Sequence, residues 1–165
     1  MNHQYLFRGV SASVNRENGG LLIPKVQGVF TYGFQWSEPD LAWGGGATWG
    51  SSPTNAVIRH QFNQEGFPTS GISTTPHIDR AIVYARGKDG KGSGYVYKIL
   101  RSALEKIGVT EFVVAQFCQP SVPEDDEVIL VVPGGLHLPS NAVVEIIQIT
   151  IGDKPRFPHS ATRTN

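Results

Sequence analysis

The chain has 165 residues, with 14 Lys and Arg against 14 Asp and Glu, so its formal net charge is zero. That length suits one hydrophobic core better than two, and the balanced charge argues against a nucleic-acid partner, which a basic excess would signal. No apolar run approaches the ~18 residues that argue for a membrane span. A single cysteine, Cys118, allows no internal disulfide and no His/Cys zinc spacing.

The 19 glycines and 11 prolines, set among short apolar runs, predict an α+β chain with substantial loops. The opening Met1-Asn2-His3-Gln4 lacks a basic segment leading into an apolar core, so the chain reads as soluble and without a secretory signal. Tyr5 to Val10 reads as a first strand with Arg8 and Gly9 at its end, followed by a turn or loop from Ser11 to Gly20. Phe30, Tyr32, Phe34 and Trp36 then alternate as on one face of a strand. With Trp43 and Trp49 they offer two readings, a covered core face or a stacking platform for rings.

Ser52 followed by Pro53 predicts a helix start; Val57, Ile58 and Phe62 follow at helical spacing, and Gly66 is the stop. A lone helical histidine such as His60 reads as structural. Ile72 to Thr75 is a short β-branched strand that passes into a helix over Ile78 to Ala85, with Pro76 in its first turn. The glycines of Gly90 to Gly94 follow that helix and precede a strand, the reverse of a dinucleotide-binding loop. The loop from Arg86 to Gly94 therefore carries no phosphate motif.

Tyr95 to Ile99 is a strand, Ser102 to Glu105 fits a capping box on a helix closed by Gly108, and Phe112 to Ala115 reads as a further strand. A linker from Phe117 ends in Glu124-Asp125-Asp126-Glu127, from which the apolar run Val128 to Val132 emerges. Strand alternation places Asp125 and Glu127 on one side and Asp126 on the other, so two carboxylates face one cleft. Val143 to Ile151 is the last strand, and a polar tail follows from Asp153.

Phe7-Arg8-Gly9, Ile72-Ser73-Thr74-Thr75 and Asp125-Asp126-Glu127-Val128, each read as lying on a strand, resemble the Arg / Ser-Thr-Ser / Glu-x-Glu signature of cholera-toxin-like mono-ADP-ribosyltransferases. The pattern is similar to a small neisserial ADP-ribosyltransferase through Thr48 to Gln61, Ile72 to Ala85, Tyr95 to Tyr97 and the acidic strand. The resemblance implies a split β-sandwich around an NAD cleft with a few flanking helices, formed by residues 1–152 as one catalytic domain, with 153–165 as tail. It implies a toxin- or effector-type enzyme that moves ADP-ribose from NAD to a protein. Family targets include G proteins, actin and ubiquitin, and such an enzyme reaches a host cytosol by export or specialised delivery.

By the same resemblance, Arg8 holds a phosphate or ribose of NAD, the backbone of Gly9 approaches the nicotinamide amide, and Ser73 and Thr74 belong to the cofactor-binding strand. Ser73 orients Glu127, which binds the 2′-hydroxyl of the nicotinamide ribose and stabilises the cation formed as nicotinamide leaves. A fixed carboxylate suits that developing positive charge. Asp125 stands where arginine-modifying relatives carry the first Glu of the pair, and Phe117 lies in the loop that contacts the acceptor. The shorter Asp125 leaves two acceptor classes open, an arginine or a Thr or Ser hydroxyl. Thr75 replaces the last Ser and keeps its hydroxyl. With Cys118 alone, no metal or iron-sulfur centre is expected. Two rival readings are an NAD glycohydrolase using the same cleft and a non-enzymatic binding module built on Tyr32, Trp36, Trp43 and Trp49.

Overall fold

The computed structural model describes residues 3–33, 50–62, 69–87 and 89–152. The expectations placed on Phe34, Trp36, Trp43, Trp49, Gly66 and the tail from Asp153 lie outside the described residues. Strand β1 (Tyr5–Ser11) runs into helix α1 (Ala12–Glu17), and helix α2 (Pro53–Phe62) precedes β2 (Ile72–Thr74) and α3 (Ile78–Ala85). There follow β3 (Gly94–Leu100), α4 (Arg101–Lys106), β4 (Thr110–Val113), β5 (Val128–Val131) and β6 (Val143–Ile149).

The chain is α+β, with two small antiparallel sheets in the orders β1-β3-β6 and β2-β5-β4. The period-2 pattern of the strands explains how they stack. In β5, Val128 and Leu130 join the cluster that contains Leu6, Ile72, Tyr97 and Ile99, between the two sheets. Ile129 and Val131 instead face Ala56 and Val57 of α2. On the first sheet Val96 and Ile149 turn the other way, against Ala81 and Ala85 of α3. The layers therefore run α3, first sheet, second sheet, α2.

At one point the sheets meet through their backbones. Phe7 N donates to Thr75 O at 2.7 Å and Thr75 N donates to Phe7 O at 3.0 Å. This bridge sits beside Arg8 on one strand and just beyond Ser73 and Thr74 on the other, so Phe7 and Thr75, far apart in the chain, are fixed at one junction.

Several local expectations need correction. Ser11 does not enter a loop: it is extended, accepts from Val14 N at 3.5 Å and caps α1. That helix buries no residue, so no apolar period announces it. Pro76 stands ahead of the N-cap His77 and outside α3. The capping box at Ser102 does not form, because α4 begins at Arg101 after Leu100, with no side-chain cap. The strand expected at Phe112 to Ala115 is shifted toward the N-terminus, and Val114–Gln116 closes as a 3-10 turn. Helix α2 forms as expected, with Pro53 as its first residue and Ser52 Oγ accepting from Asn55 N at 3.1 Å.

The acidic segment departs most. Pro123–Asp125 is a 3-10 turn, Asp126 is left-handed at φ 44°, and β5 begins only at Val128. Strand alternation is therefore not what orients these acids. The left-handed step at Asp126 sends its own side chain to His77, with Asp126 Oδ2 at 2.7 Å from His77 Nε2. Asp125 and Glu127 both line the cleft.

Candidate active site

The cleft at the sheet junction is lined by Phe7, Arg8, Gly9, Lys25, His60, Ser73, Thr74, Thr75, Tyr84, Asp125 and Glu127. Of the residues expected in the site, Arg8, Gly9, Ser73, Thr74, Asp125 and Glu127 are thus brought together. Phe117 is not: it is half-buried, packs against Phe112 with ring centroids 5.7 Å apart, and belongs to the apolar cluster below α2.

Glu127 ends the acidic segment and is held from three directions. Gln61 Nε2 donates to Oε2 at 2.7 Å. His60 Nε2 lies 3.3 Å from Oε1, and the Ser73 hydroxyl hydrogen-bonds the same carboxylate. Burial alone would raise the Glu127 pKa, but these bonds favour the charged form and leave it below the ordinary 4.5. The outcome is an ionised carboxylate, oriented and largely withdrawn from water.

His60 was read from sequence as structural, and Gln61 was not singled out. Both are neighbours on α2, and both reach Glu127. His60 Nε2 is also 2.8 Å from Ser73 Oγ, while its Nδ1 faces Thr69 Oγ1 at 2.5 Å. Gln61 turns its carbonyl the other way, accepting from Ser121 N at 3.1 Å and Ser121 Oγ at 3.0 Å. The sequence signal was adjacency alone: two polar side chains in the last turn of a helix whose other face carries Ala56 and Val57.

The three hydroxyls of Ser73-Thr74-Thr75 divide their work. Ser73 serves Glu127 and His60. Thr74 donates to Val128 O at 2.6 Å, and Thr75 donates to Asp125 O at 2.6 Å. The second and third hydroxyls therefore clamp the backbone on either side of Glu127, and each is buried. Expected as cofactor-binding, Thr74 lines the cleft with its hydroxyl committed to this clamp.

Arg8 donates from Nη1 to Ser73 O at 3.0 Å, which fixes its fork beside the junction. Burial lowers its pKa, opposed by the negative charge of Glu127 and by Tyr84; an arginine keeps its proton regardless. The missing Cβ of Gly9 makes room for α3. A Cβ there would lie 1.8 Å from Ala81 O, so Gly9 is what lets α3 lie on β1, while its backbone remains on the cleft wall.

Asp125 is buried and doubly bound. Arg80 Nε donates to Oδ1 at 2.6 Å, and Tyr84 OH donates to Oδ2. Burial, then the bond to Asp125, pushes the Tyr84 hydroxyl up to about 12, so it stays a donor. Arg80 is raised above its ordinary value, chiefly by the bond to Asp125.

Chemically, the cleft offers a cation fork, a second lining cation in Lys25, and a buried carboxylate held at a fixed angle. That set is complementary to an anionic ligand in which positive charge develops during reaction. Among the described residues no cluster of His, Cys, Asp and Glu has the arrangement of a metal site, and no helix is long and apolar enough to cross a membrane.

No curated protein matches the chain. The NarE family model matches residues 5–130, a span that runs from the start of β1 almost to the end of β5 and contains every residue lining the cleft. That family is a neisserial, ADP-ribosyltransferase-like one. The chain belongs to the NarE family.

Proposed function

We propose that the cleft binds NAD and transfers its ADP-ribose to a protein side chain, and that the two sheets form the split β-sandwich of an ADP-ribosyltransferase. The observation that carries this reading is the ionised, thrice-bonded Glu127 facing a cleft that also presents Arg8. Family membership supports the class of reaction. NAD as donor and a protein as acceptor rest on the chemistry of the site.

In this reading Arg8 pairs with a phosphate or ribose oxygen of NAD, a task for which a fixed guanidinium fork is suited. Glu127 accepts a hydrogen bond from the 2′-hydroxyl of the nicotinamide ribose. The bond between C1′ and the nicotinamide nitrogen then breaks, its electron pair passing to that nitrogen, which becomes neutral. Positive charge appears on the ribose next to Glu127, the acceptor's lone pair closes the new bond at C1′, and the proton that the acceptor atom gives up passes to solvent. His60, Gln61 and Ser73 prevent the carboxylate from rotating away, so little reorganisation accompanies the charge transfer.

The test is incubation of the protein with NAD labelled in its adenylate half, with a cell lysate as acceptor source. A labelled protein band that depends on intact Glu127 supports the transferase. Nicotinamide release with all label in free ADP-ribose assigns the cleft to the glycohydrolase instead.

A further inference from the structure

We infer that Ser121 is a positioning residue of this site: from the exposed loop ahead of the acidic turn, it fixes which end of the Gln61 amide faces Glu127. Its effect on rate rests on the Glu127 chemistry proposed above, and its effect on the carboxylate rests on geometry alone.

The two ends of a glutamine amide are similar in shape and opposite in chemistry, since the carbonyl accepts and the NH2 donates. Turned one way, Gln61 donates to an ionised carboxylate. Turned over, it would set a second acceptor against that anion, and the bond would become a repulsion. Ser121 decides between the two. Its backbone N lies 3.1 Å from Gln61 Oε1, and a backbone N–H can only donate. The Gln61 atom that faces it is therefore the carbonyl oxygen, which leaves the NH2 for Glu127 Oε2 at 2.7 Å. The Ser121 hydroxyl donates to the same carbonyl at 3.0 Å.

The link joins an exposed group to a withdrawn one. Ser121 is exposed, the Glu127 side chain is 11% exposed, and Gln61 spans the distance between them. Neither Ser121 nor Gln61 is among the residues lining the cleft. The loop is stiff where it reaches Gln61. Pro120 and Pro123 flank Ser121; each fixes its own φ and biases the residue before it toward extended backbone. Val122 accordingly stands at φ −130° and ψ 86°, and its carbonyl accepts from Asp125 N at 3.1 Å to close the turn that follows. Displacing Ser121 thus loosens the carboxylate while every residue of the cleft wall stays in place.

The experiment titrates Glu127 in the full-length protein by NMR of its carboxyl carbon and, in parallel, measures steady-state nicotinamide release from NAD. The variants are Ser121→Ala, Ser121→Thr, Gln61→Leu and Ser121→Ala combined with Gln61→Leu. Ser121→Ala removes one of the two donors to the Gln61 carbonyl. It is expected to raise the Glu127 pKa and to lower kcat about 3- to 10-fold, with the KM for NAD unchanged. Ser121→Thr keeps the hydroxyl and is expected to restore both. Added to Gln61→Leu, Ser121→Ala is expected to change neither readout, because its route to Glu127 is already gone. His60 on α2, Arg8 on β1, Tyr84 on α3 and Cys118 also interact electrostatically with Glu127. All four are present in every variant, so the comparison isolates the path through Gln61. Wild-type values of the Glu127 pKa and kcat in Ser121→Ala would overturn the inference. So would an equal loss with and without Gln61, which would make Ser121 a structural residue of its own loop. Absence of nicotinamide release from every protein, with the expected titrations, would support the positioning role and remove the transferase reading.

Discussion

His60 Nε2 stands 3.3 Å from Glu127 Oε1 and 2.8 Å from Ser73 Oγ, so one ring nitrogen serves both the carboxylate and the hydroxyl that orients it. The other nitrogen is anchored by Thr69. A hydrogen bond to a charged group contributes roughly 1.5–3 kcal/mol, which converts to about 10- to 100-fold in rate. His60→Ala is therefore expected to lower kcat for nicotinamide release by that factor while changing the KM for NAD little. An unchanged kcat with a raised KM would instead assign His60 to ground-state binding.

The depressed Glu127 pKa sets a pH dependence. Its folded value lies below the ordinary 4.5, so its contribution to stability is present above that value and is lost as pH falls through the folded pKa. The acid limb of kcat should accordingly fall below pH 4.5 in the wild type. Gln61→Leu removes the 2.7 Å donor and should move that limb upward. A limb that stays where it is in this variant would mean that Gln61 does not bond the carboxylate in solution.

Gly9 faces α3 at a distance no side chain tolerates, with 1.8 Å between an added Cβ and Ala81 O. The obstacle is backbone on both sides, so relaxation would require α3 to lift from β1. Gly9→Ala is expected to destabilise the fold by about 3 kcal/mol, at the upper end of overpacking costs, or to prevent folding. Thermal unfolding measures it. A melting temperature within a degree or two of wild type would contradict the packing described.

Arg8 is fixed by its bond to Ser73 O, and a lysine offers one charge without the planar fork. Arg8→Lys should raise the KM for NAD about tenfold, the loss of one charge-assisted contact, with a smaller effect on kcat. Steady-state kinetics separate the two. A fall in kcat alone would move Arg8 from donor binding to the chemical step.

The residues legible in sequence are those carried by a local pattern. Arg8 in an apolar strand and Ser73 in a β-branched run could be placed because strand signals surrounded them, Glu127 was singled out by the family resemblance although the acids before Val128 lie on a turn, and the apolar alternation of β3 and β5 is what divides the core between the two sheets. His60 and Gln61 could not be placed, since their partners lie on β2 and the acidic segment and nothing near them on α2 indicates that. The pairing of Asp125 with Arg80 and Tyr84 was hidden for the same reason, the partners being 45 and 41 positions apart in the chain. Pro123 was a local warning that the acids do not lie on a strand: a proline followed by two acids favours a turn, and the left-handed Asp126 completes it. Helix α1 gave no warning beyond Ser11, because a helix that buries nothing leaves no periodicity.

The central claim is that the fixed Glu127 carboxylate stabilises a ribose cation as nicotinamide leaves, and nicotinamide release from NAD by wild type and Glu127→Gln tests it most directly. The amide keeps the shape and most hydrogen bonds but removes the charge. The expected result is a rate about 10²-fold lower or more, in the range seen when one preorganised electrostatic group is removed, with the KM for NAD and the melting temperature close to wild type. Equal rates for the two proteins would contradict the account.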